Sequence, residues 1–413
     1  MFERKKVVKS LSLQLVEQAI ALISGLLIVR VMSSVFGVQD YGVFQHLLAV
    51  VAIFISFTWL CGNEVIVPLV VREKLDSSKF ALLQHGFLIR LVVGLVSYVL
   101  FLFYCASSDL DFVREYGYLF GLSILFQESF GVAVAWLQSE MKVYIKSLIG
   151  VAIYSVRVFL LYLAFIYGVR DYLLYSVLYI SSFVVGPLVL FFYVMKGRWI
   201  LLGGFDIGMI KSLLPASFLF ALVAAMMTLF QRVDRLLLID AFSPSFIGNY
   251  NASMQVVDLF NGLILSAFGV LAPIIYKMDN RSNAVAAIAK MALVFGLGVG
   301  AACVFVFAFS QYIGHLLFGD SFSGVGIILR SVIWISLPFS ISAVLNVYMV
   351  SRGMYALLAV KWGVGCCVAG GLMLLLPSVV GWMGVVYSFF AAYVFLIFFD
   401  VFVLSISNRM IKS

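Results

Sequence analysis

Long apolar runs recur along the chain from near its start to near its end, broken only by short polar connections, and they constrain its fold more tightly than any motif does. A bilayer core takes about 20 consecutive apolar residues per spanning helix. Backbone polar groups in lipid must be satisfied within the segment or within a closed barrel. The runs are continuous rather than alternating, so they predict helices and exclude a barrel. Of the 413 residues, 64% are hydrophobic and only 11% charged, against about a half and a quarter in soluble domains. The expectation is an all-α integral membrane protein of about twelve transmembrane helices. The predicted spans are 11–32, 43–70, 80–104, 116–137, 147–167, 173–195, 212–238, 247–275, 287–311, 327–350, 356–376 and 382–405.

The formal charge of +8 does not point to nucleic acid, because the basic residues punctuate the apolar runs instead of forming a patch or tail. Of 27 Lys and Arg, nineteen fall on one face of the predicted topology, Lys361 among them. Only Arg114 and Arg170 fall on the other, and six arginines lie within spans. The positive-inside rule then places both termini in the cytoplasm. Arg4, Lys5, Lys6 and Lys9 precede a run longer than a signal-peptide core and without an Ala-x-Ala site, which predicts a retained first helix. Five cysteines, mostly inside apolar runs, form neither a disulfide framework nor a zinc pattern. No phosphate-cradling glycine loop, nucleotide-binding domain or catalytic constellation is readable, and the outward connections are short. The expectation is a transporter without cofactor, not an enzyme.

The two halves echo one another. Arg30 ends the first span, and Tyr41 and Gly42 open the second; Arg235 ends the seventh, and Gly248 and Tyr250 open the eighth. Six spans separate the two segments, which predicts parallel repeats: lobes 1–200 and 201–413, six helices each, around a central cavity.

Leu214, Pro215, the run Gln231 to Leu238 with Arg232, Asp234 and Arg235, and the run Ile247 to Ala252 resemble the seventh-to-eighth helix signature of polysaccharide flippases. Arg30, Gly37, Asp40, Tyr41, Gly42 and Phe44 resemble the N-terminal signature of the same family, part of the multidrug/oligosaccharidyl-lipid/polysaccharide exporter superfamily. The resemblance implies an O-antigen flippase of the Wzx type, moving undecaprenyl-diphosphate-linked oligosaccharide from the cytoplasmic to the periplasmic leaflet of a bacterial inner membrane. It also implies membrane lipid and polysaccharide polymerase machinery as partners. Lipid II flippases of the superfamily are usually two helices longer, which argues against that branch.

Charges inside the spans cost about 2.5–3.5 kcal/mol each at a helix centre, so they must pair or face water. Arg30 and Arg330 lie near outer ends and Asp400 near an inner one, within snorkelling reach; Arg90, Glu128, Arg157 and Asp258 lie deeper. Helical spacing puts Arg90 with Gly86 and Gly94, Glu128 with Gly121, and Arg157 with Gly150 and Tyr154. It also puts Arg232 with Arg235, and Asp258 with Asn251 and Gln255. Such stripes face the bundle interior, as tight packing or as a wet cavity. Guanidinium suits diphosphate, so Arg90, Arg157, Arg232, Arg235 and Arg30 are the candidate substrate contacts. Glu128, Asp258 and Asp234 are the candidate ion-coupling groups, and no basic partner is evident for Asp258. For each the competing reading is an ion pair that fixes helix register. The three histidines read as interfacial, and Pro187 and Pro338 as kinks or packing defects. The competing functions are a cation-coupled multidrug exporter, which predicts an acidic and aromatic cavity where a flippase predicts arginines, and a polysaccharide polymerase.

Overall fold

The computed structural model describes residues 2–73, 75–195, 206–276 and 281–409. The expected lobe boundary at 200/201, and Lys74, Lys196, Arg198, Lys277 and Lys412 among the counted cations, lie outside them. Helices account for nearly all of the described chain, which contains no strand. In order they are α1 (Phe2–Phe57), α2 (Asn63–Arg72), α3 (Asp76–Ser107), α4 (Asp111–Phe130), α5 (Val132–Ser139), α6 (Val143–Ile166) and α7 (Tyr172–Met195). They continue as α8 (Ile207–Leu237), α9 (Pro244–Tyr276), α10 (Arg281–Phe318), α11 (Val325–Val332), α12 (Ser336–Ser351), α13 (Tyr355–Leu375), α14 (Pro377–Val380) and α15 (Met383–Arg409).

Ten helical stretches among the described residues are long and apolar enough to cross a membrane. The first, Val16–Phe57, runs through the first two predicted spans and is interrupted at Gly37, whose φ of 69° and ψ of 179° suit glycine almost alone. The eighth predicted span lies in α9.

Three predicted spans are broken. The second ends at Phe57 and resumes as α2 after a turn through Cys61, whose φ is 55°. The fourth breaks at Gly131 between α4 and α5, where a Cβ would crowd the Gln127 carbonyl oxygen at 2.6 Å. The tenth divides into α11, a 3-10 turn over Ile333–Ile335, and α12. Pro338 lies in the first turn of α12, where it offers no N–H to the preceding turn. Pro187, by contrast, sits inside a continuous α7.

The chain forms two compact units. One comprises Met1–Phe36 and Leu47–Ala225, the other Gly37–His46 and Met226–Ser413. In the first, the glycine stripes foreseen on the third and fourth spans serve tight packing. Gly94 meets Ser129 and the Ile124 carbonyl of α4, and Gly121 meets Tyr98 and Phe101 of α3. Phe80 packs on Trp136 with ring centroids 4.4 Å apart, and Phe191 on Phe87 and Phe130. In the second unit, Phe230 of α8 packs against Trp362 of α13 and Tyr393 of α15. The segments that suggested a repeat meet face to face there. A Cβ on Gly42 would lie 2.9 Å from the Gly248 nitrogen, and one on Gly248 would overlap the Val38 carbonyl oxygen. Asn251 then donates to the Gly42 carbonyl at 2.9 Å.

Candidate functional site

In the first unit Arg90 is 1% exposed and spends its donors on its own unit. Nε and Nη2 both donate to the Cys61 carbonyl, at 3.1 and 2.5 Å. Nη1 donates to the Glu128 carbonyl at 2.9 Å, and Nη2 also to Asn63 Oδ1 at 3.2 Å. The guanidinium therefore holds the left-handed Cys61 turn that breaks the second predicted span. Arg157 donates through Nη1 to Ser182 Oγ at 2.7 Å. Its guanidinium carbon lies 5.4–5.5 Å from the ring centroids of Tyr154, Tyr179 and Phe183, a cation–π enclosure. Its Nε is buried without a partner.

Beside the residues that hold these two arginines lies a 460 Å³ cavity, its lining including Asn63, Glu128, Tyr154, Ser182, Phe183, Glu17 and Lys146. Neither Arg90 nor Arg157 lines it. Its one lining cation, Lys146, pairs with Glu17 at 2.8 Å across α6 and α1. Gly150 makes that approach feasible, since a Cβ there would stand 2.8 Å from Glu17 Oε1.

In the second unit Asp258 does have basic partners. Oδ2 accepts from Arg232 Nη1 and, at 2.5 Å, from Arg235 Nη2. α8 carries both arginines three residues apart on one face, and α9 brings the carboxylate to them. Arg235 is buried, while the Arg232 and Asp258 side chains remain 23% and 25% exposed. Asp234 accepts from Tyr250 Oη at 2.8 Å, with its other oxygen unpartnered. The Arg235 carbonyl lies 2.7 Å from His46 Nδ1, and His46 is buried. His85 is buried too, with Nδ1 2.7 Å from the Ala81 carbonyl and Nε2 accepting from the Asp206 N–H at 3.1 Å. Arg30 is exposed on α1 and belongs to neither cluster.

A third cluster was missed in the sequence. Lys361, counted with the inward-facing cations, is 0% exposed in α13, and Asp400, read as snorkelling, is 1% exposed in α15. The ammonium donates to Asp400 Oδ2 at 2.7 Å, Asn346 Oδ1 at 2.6 Å and Ser342 Oγ at 3.1 Å. The one available signal was a lysine more than a turn inside the predicted span 356–376, where lipid disfavours a charge without a partner.

Residues 4–279 match the family model described as polysaccharide biosynthesis protein. A lipid II flippase, MurJ, in an inward closed conformation has a similar structure: TM-score 0.73 at 15% identity, covering 96% of this chain and 87% of that one. An inward-facing multidrug resistance transporter of the MATE family, in the MOP superfamily, gives 0.71 at 13% identity, covering 95% and 96%. At these identities the likeness establishes the fold, that of MOP-superfamily transporters. No curated protein matches the sequence.

Proposed function

The chain belongs to the polysaccharide biosynthesis protein family, and from that premise we propose that it flips a lipid-linked saccharide across a bacterial cytoplasmic membrane. The cargo is an undecaprenyl-diphosphate-linked oligosaccharide, an O-antigen or related repeat unit. It moves from the inner to the outer leaflet by alternating access, with both termini cytoplasmic. The family match over 4–279 carries this reading; the transporter fold supports it.

Within it, Arg232 is the first contact for the diphosphate. It is partly exposed and shares one carboxylate with Arg235, so the trio keeps a net positive charge. Phosphate oxygens would take over the arginine donors from Asp258 and free that carboxylate for a proton or sodium ion. A cation at Asp258 would then bias the access equilibrium through its differential affinity for the two states. Glu128 and Asp234 are the further carboxylates proposed for coupling. Arg90 and Arg157 serve the cargo indirectly, by holding the Cys61 turn and the Tyr154 and Phe183 rings in place, and Arg30 meets the anionic headgroup at the exposed surface of α1. The deciding experiment is deletion of the gene in a strain without a redundant flippase. Lipid-linked repeat units should accumulate on the cytoplasmic leaflet and surface polymer should disappear; units still reaching the periplasm would refute the assignment.

A second reading, export of organic cations, draws on the first-unit cavity, where Glu17, Glu128, Tyr154 and Phe183 are the charged and aromatic chemistry expected for it.

A further inference from the structure

We propose that the 460 Å³ cavity of the first unit is a saccharide subsite, taking an uncharged, hydroxyl-rich part of the cargo and not its diphosphate. The inference rests on the flippase reading and deepens it. Cavities of about 300–1,000 Å³ hold small ligands, so the volume admits a sugar unit or a short oligosaccharide.

Of the three charged side chains that line the cavity, two are paired with each other. Glu17 is paired with Lys146 at 2.8 Å, while Arg90 reaches only the backbone carbonyl of Glu128, at 2.9 Å, and leaves the Glu128 carboxylate without an ion pair among the described residues. A cationic drug would find one open carboxylate, that of Glu128, with the Lys146 ammonium in the same lining. A diphosphate would fare worse. The two nearby guanidiniums do not line the cavity, and their N–H groups point to Cys61, Glu128, Asn63 and Ser182. Phosphate oxygens entering it would meet carboxylates first, at a cost that grows as water is excluded.

What remains facing the cavity is neutral hydrogen-bonding surface. Asn63 uses its carbonyl oxygen on Arg90, which leaves its amide donors for a ligand. Gln127 adds a side-chain amide, and the Glu128 carboxylate accepts from hydroxyls. Tyr154 and Phe183 supply ring faces, against which the C–H side of a pyranose can lie. Arg157 stands over the same two rings and keeps them in place. Amide donors, carboxylate acceptors and flanking aromatic faces are together the complement of a polyol ring.

The test is photocrosslinking in intact cells with the full chain. A benzophenone amino acid replaces Ile153 or Gln138, which line the cavity, or Phe103, an exposed apolar residue of α3, as control. Cells carry lipid-linked precursor labelled with radioactive sugar or, separately, radioactive phosphate. Mild acid then cleaves the bond between the glycan and its phosphate. Adducts at Ile153 or Gln138 should retain the sugar label and lose the phosphate label, and Phe103 should give no sugar-labelled adduct. Retention of phosphate with loss of sugar would overturn the proposal by placing the headgroup in the cavity. So would the absence of any labelled adduct at either cavity position in variants that still restore surface polymer. Loss of the adduct on adding tetraphenylphosphonium, with that cation exported, would assign the cavity to cations instead. A sugar-retaining adduct in a strain whose deletion mutant still delivers units to the periplasm would sink the flippase reading and leave the subsite standing.

Discussion

Lys361 sits in α13 with its ammonium fully enclosed by Asp400, Asn346 and Ser342, and neither charge reaches the protein surface. Removing one member of such a pair leaves the other charge buried and unmatched, at about 3–5 kcal/mol, whereas replacing both by apolar residues is often close to neutral. Lys361→Met should therefore lower the unfolding temperature of the detergent-purified protein sharply, and Lys361→Met combined with Asp400→Leu should recover most of the loss. Equal losses in the single and double variants would show that the two side chains do not stabilise each other. The sequence made Asp400 look like a snorkelling residue because counting from the end of a span gives depth and not direction. The partner lies 39 residues away on another helix, and no spacing rule spans that gap. The same limit hid the partners of Asp258. The i, i+3 placement of Arg232 and Arg235 was legible, but the register of α9 against α8 that delivers the carboxylate was not.

Helices were read well where an apolar run continues and poorly where it is cut by a contact made elsewhere. The break at Gly131 has a local sign in the glycine, and Pro338 marks the one near Ile335. At the Cys61 turn Gly62 is a local sign as well, but the left-handed residue is Cys61 itself, held by Arg90, which reaches it from α3. The glycine stripes were correctly placed on inward faces, yet only the partner helix decides between packing and cavity. Gly94 and Gly121 went to packing, whereas Gly150 makes room for Glu17 at a cavity wall. The contact between Gly42 and Gly248 allows a direct check. Overpacking a tight site costs about 1–3 kcal/mol, and the obstacle here is backbone, which cannot rotate away. Gly248→Ala should cut the yield of folded protein and its unfolding temperature, while Gly262→Ala on the same helix, with open space around its Cα, should leave both unchanged. A Gly248→Ala protein as stable as the parent would mean that the two segments do not approach as closely as described.

On the scale of the whole chain, the excess of cations on alternate connections gives an orientation that reporter fusions can check. Fusions at Lys142, Arg281 and the C-terminus are expected to report the cytoplasm, and those at Asp109, Ser243 and Asp320 the periplasm; a well-expressed C-terminal fusion reading the opposite side would imply an odd number of crossings. The all-helical membrane architecture was legible because lipid admits so few alternatives. The allocation of Gly37–His46 to the second unit was not, because it depends on residues made far later. Asn251, which binds the Gly42 carbonyl, follows it by 209 positions, and Arg235, whose carbonyl meets His46, by 189. At about 5–20 residues per second, a ribosome needs on the order of ten to forty seconds to supply them. Throughout that interval the nascent first helix waits in the membrane with its middle unmatched. A fragment ending near residue 200 would stay in that condition indefinitely. Severed halves of this protein are therefore expected to need each other, and translation order becomes part of how the second unit matures.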